Sequence, residues 1–378
     1  TNIQTLRSTA MWNIFSVPLV RAVQMVLLFC LSQRVFVEGS IDISATTTSS
    51  YGGCVDGITC QNVSANTLEF QCRFASPPIG ETSRGNVMML HGFPEWSDMF
   101  IPLMKVLATH GFKSVACNQR AYSIGARPTA ETAYSYEVLR TDVFAIASAV
   151  NFSTSGCGFH LVGHDHGAAL GWLAASAHSP QSTQLLSYSS LSIPHLDAFN
   201  AGLNKGVNGD VQQQIASQYF TMFVLANSST LHGDFWYNMI GKNSGDVNSG
   251  SFATPNAFQK ALWWYNGARD SGTFSMPPLM SAAMLLEHGA VATAGLRTLF
   301  GGVPDDGHPA TLILGNITIP TLFVCGNNDT AILCTRPYAL KTRDYVSATY
   351  AYLEVDCGHQ VLACENKNET DKVISAIV

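Results

Sequence analysis

The stretch that decides the fold is FHLVGHDHGAALGWLAA, residues 159–175. Its first four residues are an apolar run typical of a buried strand, and residues 169–175 are typical of a helix. Between them, Asp165 stands in a turn flanked by Gly163 and Gly167. A reactive residue between glycines, where a strand turns sharply into a helix, is the arrangement of a nucleophile elbow. The pattern therefore predicts that Asp165 is a nucleophile; the simpler interpretation is a turn or helix-capping Asp.

The identity of the central residue restricts the chemistry. A carboxylate nucleophile forms an alkyl ester, so it attacks saturated carbon and not an acyl group. Asp165, standing where an esterase would carry Ser or Cys, favours the opening of epoxides or the breaking of carbon–halogen bonds.

An acid and a base follow the nucleophile in the order that a catalytic triad of this type requires. Asp329 comes just after the apolar run 321–325, and His359 just after the strand-like run 350–355. Catalytic groups of open α/β sheets gather at the carboxyl ends of the strands. We therefore expect Asp329 and His359 to converge on Asp165. Asp356 is a competing acid, but it directly precedes the turn that carries His359.

A fourth strand-end loop completes the candidate site. The apolar run 86–90 leads into HGFPE, residues 91–95. In this arrangement, one backbone N–H after that strand and the N–H that follows the nucleophile form an oxyanion hole. The predicted donors are the amides of Phe93 and His166.

These motifs resemble the α/β-hydrolase family, and within it the epoxide hydrolases. The HGFPE loop is similar to that family's HGxP loop, and GHDHGA (163–168) to its GHDxGA/G elbow; NQRAY (118–122) resembles its DxRGY loop. The resemblance extends from about residue 66 to the C-terminus. It implies an α/β fold with a mostly parallel central sheet and a helical cap domain.

The resemblance also implies residue roles. Family members carry two cap tyrosines that bind the epoxide oxygen; Tyr219 matches the first by its spacing to Phe223, and Tyr265 matches the second. The reaction it implies is attack by Asp165 followed by hydrolysis of the ester with His359 as base and Asp329 as its partner, giving a vicinal diol without cofactor or metal. The residues expected around the substrate are His91, Pro94 and Trp264. The alternative for His91 is a structural role, bonding backbone around the site, and the alternative for Trp264 is packing in the core of the cap. The chain departs from the family pattern at Asn118, Ala121, His166 and Asn266.

Size and composition agree with this interpretation. The 378 residues leave room for one large α/β domain and a cap. The net charge of −6 excludes the basic character expected of a nucleic-acid-binding protein. Cys and His do not occur at the tight spacing of zinc ligands. The expected partner is a small apolar, epoxide-like substrate.

The order of segments predicts five regions. Residues 1–40 are an apolar leader, 41–65 a Ser/Thr/Gly-rich linker, 66–194 the first half of the core, 195–305 the helical cap and 306–378 the second half of the core. Within the cap, residues 241–250 are predicted to be a loop.

The leader and the cysteines bear on location. We expect membrane association through residues 11–37, as a retained anchor that resembles a signal-peptide core. Ten cysteines are many for a cytosolic hydrolase, and pairs Cys325–Cys334 and Cys357–Cys364 bracket the acid and the base. Free buried thiols are the alternative. With six N-glycosylation sequons, these features predict a membrane-associated location in a lumenal, secretory or organellar compartment.

Two other functions remain open from the residues alone. A haloalkane or haloacetate dehalogenase shares the Asp nucleophile, but it needs halide-binding groups where this chain has His166 and Phe93. A non-catalytic, hydrolase-like accessory subunit of a membrane protein complex is the second alternative.

Overall fold

The structure is a computed structural model. It describes residues 54–153, 158–204, 209–226, 231–246, 250–278, 280–290 and 310–378. The described residues form an α/β fold around one eight-stranded sheet. From one edge of the sheet to the other, its strands are residues 59–65, 68–75, 112–117, 85–90, 159–164, 185–191, 321–326 and 350–355.

The strands of this sheet are β1 (Thr59–Ala65), β2 (Leu68–Ala75), β3 (Gly85–Leu90), β4 (Phe112–Cys117), β5 (Phe159–His164), β6 (Leu185–Leu191), β9 (Thr321–Gly326) and β10 (Tyr350–Val355). β1 and β2 pair antiparallel, as do β2 and β4, and all other pairs are parallel. The mostly parallel sheet predicted from the sequence is confirmed. β5 lies between β3 and β6, so the elbow sits at the centre of the sheet.

The α-helices are α1 (Ile101–Thr109), α2 (Tyr136–Ala149), α3 (His166–Ala175), α4 (Leu196–Leu203), α5 (Val211–Ala216), α6 (Gln218–Leu225), α7 (Leu231–Trp236), α8 (Pro255–Asp270), α9 (Ala282–Glu287), α10 (Pro337–Leu340) and α11 (Lys367–Ile377). Helices α4 to α9 lie in the chain between β6 and β9, where the cap is predicted. The cap's boundaries stay a prediction.

Alternating strand residues divide the core into two apolar clusters. In β3, Met88 and Leu90 belong to the cluster that includes residues of α2 and α3, whereas Val87 and Met89 belong to the cluster that includes residues of α1 and α11. Side chains of a strand point alternately to its two faces, so helices cover the sheet on both sides. This burial on both faces explains why the central strands are continuous apolar runs.

The glycines of the elbow permit close packing where β5 meets α3. A Cβ added at Gly163 would lie 2.4 Å from the carbonyl oxygen of Gly167, and one at Gly167 would lie 2.1 Å from that of Leu90. Both distances are far shorter than van der Waals contact. The glycines therefore let α3 start directly against β3 and β5, as the sequence predicts.

Two predictions about irregular segments are wrong. The linker predicted for residues 41–65 ends too late, because residues 59–65 form β1 and pair with β2. Only Val63 and Ala65 of this edge strand are buried, so its apolar alternation is too short to stand out from a polar linker. Within the loop predicted for residues 241–250, the backbone of Gly245–Asp246 (β7) pairs antiparallel with Gly250–Ser251 (β8).

In the part of the chain that the structure describes, four disulfides join the eight cysteines: Cys54–Cys60, Cys72–Cys117, Cys325–Cys334 and Cys357–Cys364. The last two are the pairs that bracket the acid and the base in the sequence. Disulfides persist in oxidising compartments, which agrees with a lumenal or secretory location. The location itself stays a prediction.

The leader prediction lies outside the described residues. The apolar segment 1–40 and its membrane-associated part, residues 11–37, belong to the range 1–53 that the structure does not describe. In the described ranges, no helix combines the length and apolar character that crossing a bilayer would need.

Replacing Gly167 with Ala should destabilise the fold by about 3 kcal/mol or more, because the added methyl group meets backbone that cannot rotate away. Urea unfolding measures this loss. Gly358→Ala is the matched control, since a Cβ there has no neighbour within 4 Å. Equal unfolding midpoints for the two variants would contradict the close approach at the elbow.

Candidate active site

Asp165 occupies the turn between β5 and α3 in a strained backbone conformation. Its φ is 52° and its ψ is −124°, a region that costs a residue other than glycine about 1–3 kcal/mol. The side chain is 11% exposed, and its Oδ1 accepts a hydrogen bond of 2.7 Å from the amide of Phe93. Gly92 makes room for it, because a Cβ there would lie 2.2 Å from the Cβ of Asp165. The elbow thus holds the carboxylate against the HGFPE loop.

His359 and Asp329 lie on the other side of the same carboxylate. Nε2 of His359 is 3.2 Å from Oδ2 of Asp165, and Nδ1 is 2.6 Å from Oδ2 of Asp329. The other oxygen of Asp329 accepts from the amides of Ala331 and Ile332 at 2.8 and 3.0 Å. The structure therefore brings the three predicted triad residues together. Asp356, the competing acid, is exposed and binds Asn328 instead.

The charges of Asp165 and Asp329 shift the pKa of His359, and His359 in turn shifts the pKa of Asp165. Burial alone would lower the pKa of His359, but the charges of Asp329 and Asp165 and its hydrogen bonds to them raise that pKa to about 10. Burial would likewise raise the pKa of Asp165, but the hydrogen bond to His359 and the positive charge of that imidazole hold it below its usual range. At neutral pH the site holds an ionised Asp165 beside a protonated His359.

Several hydrogen bonds fix the loop that carries His359. Its carbonyl oxygen accepts from Nε2 of His164 at 3.0 Å and from the hydroxyl of Ser192 at 2.6 Å. Burial lowers the pKa of His164 to about 4, so this imidazole is neutral. Gln360 donates to Oε1 of Glu95 at 2.9 Å, which ties the loop to the HGFPE segment.

Both predicted cap tyrosines reach the site. Tyr219 on α6 and Tyr265 on α8 line the same cavity as Asp165, with their ring centroids 6.3 Å apart. Burial, together with the charge of Asp165, raises both tyrosine pKa values well above the usual value. Both hydroxyls are therefore protonated and able to donate a hydrogen bond.

The cavity itself is small and mostly apolar. Its empty space is about 240 Å³. Its other described lining residues are His166, Ile193, Phe199, Phe220, Phe274 and Ile332. The apolar members come from loops and from helices α4 and α6, at positions that match no family motif, so the sequence held no signal for them.

The predicted substrate contacts of His91 and Trp264 are wrong. His91 is fully buried, and its Nε2 accepts from the amide of Gln119 at 3.0 Å. Trp264 is 2% exposed and donates to the carbonyl of Arg120 at 3.1 Å. Neither side chain lines the cavity, because each braces backbone beside it. Pro94, in a cis peptide bond with Phe93, is partly exposed and does not line the cavity either.

The NQRAY loop keeps structural roles despite its departures from the family pattern. Asn118 accepts from the amide and the hydroxyl of Ser97 at 2.9 and 2.6 Å. Arg120 binds Asp142 through two hydrogen bonds of 2.7 Å, and both side chains are buried. Ala121 adopts a φ of 79°, the conformation for which the family uses glycine. This loop supports the HGFPE segment from behind.

Tyr136 is a site residue that the sequence analysis missed. It is the first residue of α2, and its buried hydroxyl contacts Nδ1 of His166. The two residues are 30 positions apart in the sequence and belong to different helices. The packing of α2 beside α3 brings them together, and no sequence spacing predicts this contact.

A model of the α/β hydrolase fold family matches residues 85–362, which include Asp165, Asp329 and His359. The chain therefore belongs to the α/β hydrolase fold family. Within it, part of the chain is similar in sequence to epoxide hydrolases.

Curated relatives match only parts of the chain. An AB hydrolase superfamily protein of Bacillus subtilis is 27% identical over 141 residues, 37% of this chain and 46% of that protein. Epoxide hydrolase A of Mycobacterium tuberculosis is 31% identical over 117 residues, 31% of this chain and 34% of that protein. These matches span less than half the length of the relatives.

Solved structures resemble the fold over most of the chain. An epoxide hydrolase from metagenomes of hot environments aligns with a TM-score of 0.53 at 20% identity, covering 85% of this chain and 98% of its own. A Bacillus megaterium epoxide hydrolase bound to its diol product gives 0.53 at 19% identity, covering 84% and 99%. A putative acyltransferase from Salmonella enterica gives 0.58 at 16%, covering 86% and 97%. At these identities the likeness concerns the fold alone.

Removing the disulfide beside the base should weaken the fold and alter the site. For the double variant Cys357→Ala/Cys364→Ala, we expect a loss of about 2–3 kcal/mol in unfolding free energy, because a short loop is released. The pKa of His359 should fall from about 10, because the freed loop weakens its contact with Asp329. NMR titration measures this pKa.

Cys54→Ala/Cys60→Ala is the matched control, because it opens a loop of similar length away from the site. It should lower stability and leave the titration of His359 unchanged. The same pKa shift in both double variants would mean that the disulfide does not position the base.

Proposed function

We propose that the protein hydrolyses small epoxides to vicinal diols through an alkyl ester on Asp165. One observation carries the proposal. A buried carboxylate lies between the amide of Phe93 and the imidazole of His359, in a cavity that Tyr219 and Tyr265 also line. The epoxide-hydrolase-like relatives support the same reaction class.

In the first step, Asp165 attacks a ring carbon from the side opposite its C–O bond. A carbon–oxygen bond to the carboxylate forms, and the ring bond breaks with its electron pair on the departing oxygen. Tyr219 and Tyr265 donate hydrogen bonds to that oxygen; one such donor contributes about 10²–10³-fold to a rate. The departing oxygen takes up one proton. His359 releases one proton in the same step, because the esterified Asp165 no longer carries the charge that stabilised the imidazolium, so the protons balance.

In the second step, neutral His359 removes a proton from water, and the hydroxide attacks the carbonyl carbon of the ester. The amides of Phe93 and His166 stabilise the oxyanion. The first already contacts Asp165 at 2.7 Å, and the second begins α3, where the helix dipole favours negative charge. The acyl–oxygen bond breaks, the diol leaves, and ionised Asp165 and protonated His359 are restored.

The lining of the cavity sets the character of the substrate. Of the nine described residues that line it, five are Ile or Phe and two more are Tyr. Apolar walls of this kind bind the hydrocarbon part of a ligand, and a few polar groups orient it. We therefore propose a small, mainly apolar epoxide as substrate.

A single turnover in water enriched in oxygen-18 tests the ester intermediate. We expect the label in the carboxylate of Asp165 and not in the first molecule of diol, because water attacks the ester carbonyl. His359→Gln should accumulate the ester, detected by intact-mass measurement, and Asp165→Asn should form none. Label in the first diol would exclude the ester.

Asp356→Asn is the control for the acid. It should keep wild-type turnover, whereas Asp329→Asn should slow ester hydrolysis by about 10³–10⁴-fold, because the partner that orients His359 is lost. Release of halide from haloalkanes without diol from epoxides would instead support the dehalogenase alternative. The absence of turnover with either class would support the accessory-subunit alternative.

The two steps should differ in pH dependence. Ester formation needs ionised Asp165, whose pKa is low, so its rate should stay constant as the pH falls from 8 toward about 5. In the ester, Asp165 no longer supports the imidazolium, so the pKa of His359 falls below about 10. Once the pH drops below that new pKa, His359 becomes protonated and ester hydrolysis should slow about tenfold per pH unit. Quenched single-turnover kinetics separate the steps; parallel pH profiles would refute this assignment.

A further inference from the structure

The side chain of His166 borders the cavity but has no part in the proposed chemistry, which uses only its backbone amide. Of the described residues that line the cavity, the other polar ones are Asp165, Tyr219 and Tyr265. All three are assigned to the reaction. The imidazole of His166 is therefore the polar group of this lining that is left to meet another part of the substrate.

Tyr136 determines which ring nitrogen of His166 carries the hydrogen. Burial raises the pKa of Tyr136 well above its usual value and lowers that of His166, so both groups are neutral. Within the described part of the chain, the hydroxyl of Tyr136 has Nδ1 of His166 as its hydrogen-bond partner. A buried phenol must donate its one hydrogen, so Nδ1 accepts it and Nε2 carries the N–H.

The surrounding rings hold the imidazole in this orientation. Tyr265 packs edge-on at 4.3 Å between ring centroids, Trp264 at 5.8 Å and Phe274 at 6.2 Å. With Nδ1 bound to Tyr136 on one side, the Nε2–H group lies on the opposite side of the ring. His166 lines the cavity and is 4% exposed, so a substrate atom in the cavity can accept a hydrogen bond from this N–H in place of solvent.

We infer that the Nε2–H group of His166 selects epoxides that carry an oxygen acceptor, such as an ether oxygen, next to the epoxide ring. This inference rests on the proposed function. An ether, hydroxyl or carbonyl oxygen would accept from Nε2–H, whereas a purely hydrocarbon chain leaves the donor unpaired. Sites built around a hydrogen bond reject analogues that lack the partner atom.

The test compares two substrates of equal chain length, ethyl glycidyl ether and the terminal epoxide of hexane, in which a methylene group replaces the ether oxygen. The readout is the ratio of their kcat/KM values, which cancels general losses of activity. We expect the wild type to favour the ether about tenfold more than His166→Phe does. Tyr136→Phe should lower the ratio in the same direction, because the tautomer is released.

Tyr134→Phe is the matched control. Its hydroxyl is bound to the carbonyl of Pro128 at 2.8 Å, and it does not line the cavity, so the ratio should stay at the wild-type value. If His166→Phe fails to fold, Tyr136→Phe decides. Turnover of both epoxides with the wild-type ratio kept in the folded variants overturns the inference and leaves the proposed function intact. No diol from either substrate with the wild type overturns both.

Discussion

The close approach of Asp165 to the loop after β3 is the constraint on which the site depends. The nucleophile stands in a strained turn because Gly92, Gly163 and Gly167 leave no side chain between the crossing segments. The sheet's central parallel strands and the two apolar clusters hold this turn in place. Without that packing, the backbone would relax and the carboxylate would leave the amide of Phe93.

The protonation states of Asp165 and His359 depend on each other and on the charge of Asp329. The Asp165–His359 pair is stabilised in its ionised form by Asp329, itself held by two backbone amides. Forming an ester on Asp165 removes one of the two negative charges beside the imidazole. In the proposed reaction, the step that consumes the nucleophile therefore also prepares the base, so that one histidine rests protonated and then activates water.

Short sequence patterns predict the residues at the centre of the candidate site. The residues around them depend on packing between distant segments, which the sequence does not show. Asp165, Asp329 and His359 each follow an apolar strand, so their convergence could be predicted from strand-end geometry. Tyr219 and Tyr265 were found through family spacing. No comparable sequence pattern identifies Tyr136, because its contact with His166 depends on how two helices pack.

The errors have the same physical origin. Residues 59–65 form an edge strand with few buried side chains, so they resemble a linker. His91 and Trp264 lie beside the motifs that carry chemistry, but they bind backbone of the loop after β4. A motif can show that a residue lies near the site. The direction of that residue's side chain, however, depends on residues that are distant in the sequence.

The hydrogen bond between Gln360 and Glu95 links two loops with different duties in the proposed reaction. One loop stabilises the oxyanion and the other carries the base. A bulky ligand that displaced either loop would displace its counterpart as well. An inhibitor that binds beneath the HGFPE segment and displaces it would therefore also displace the loop that carries His359. In the proposed reaction, it would block the activation of water without contacting the imidazole.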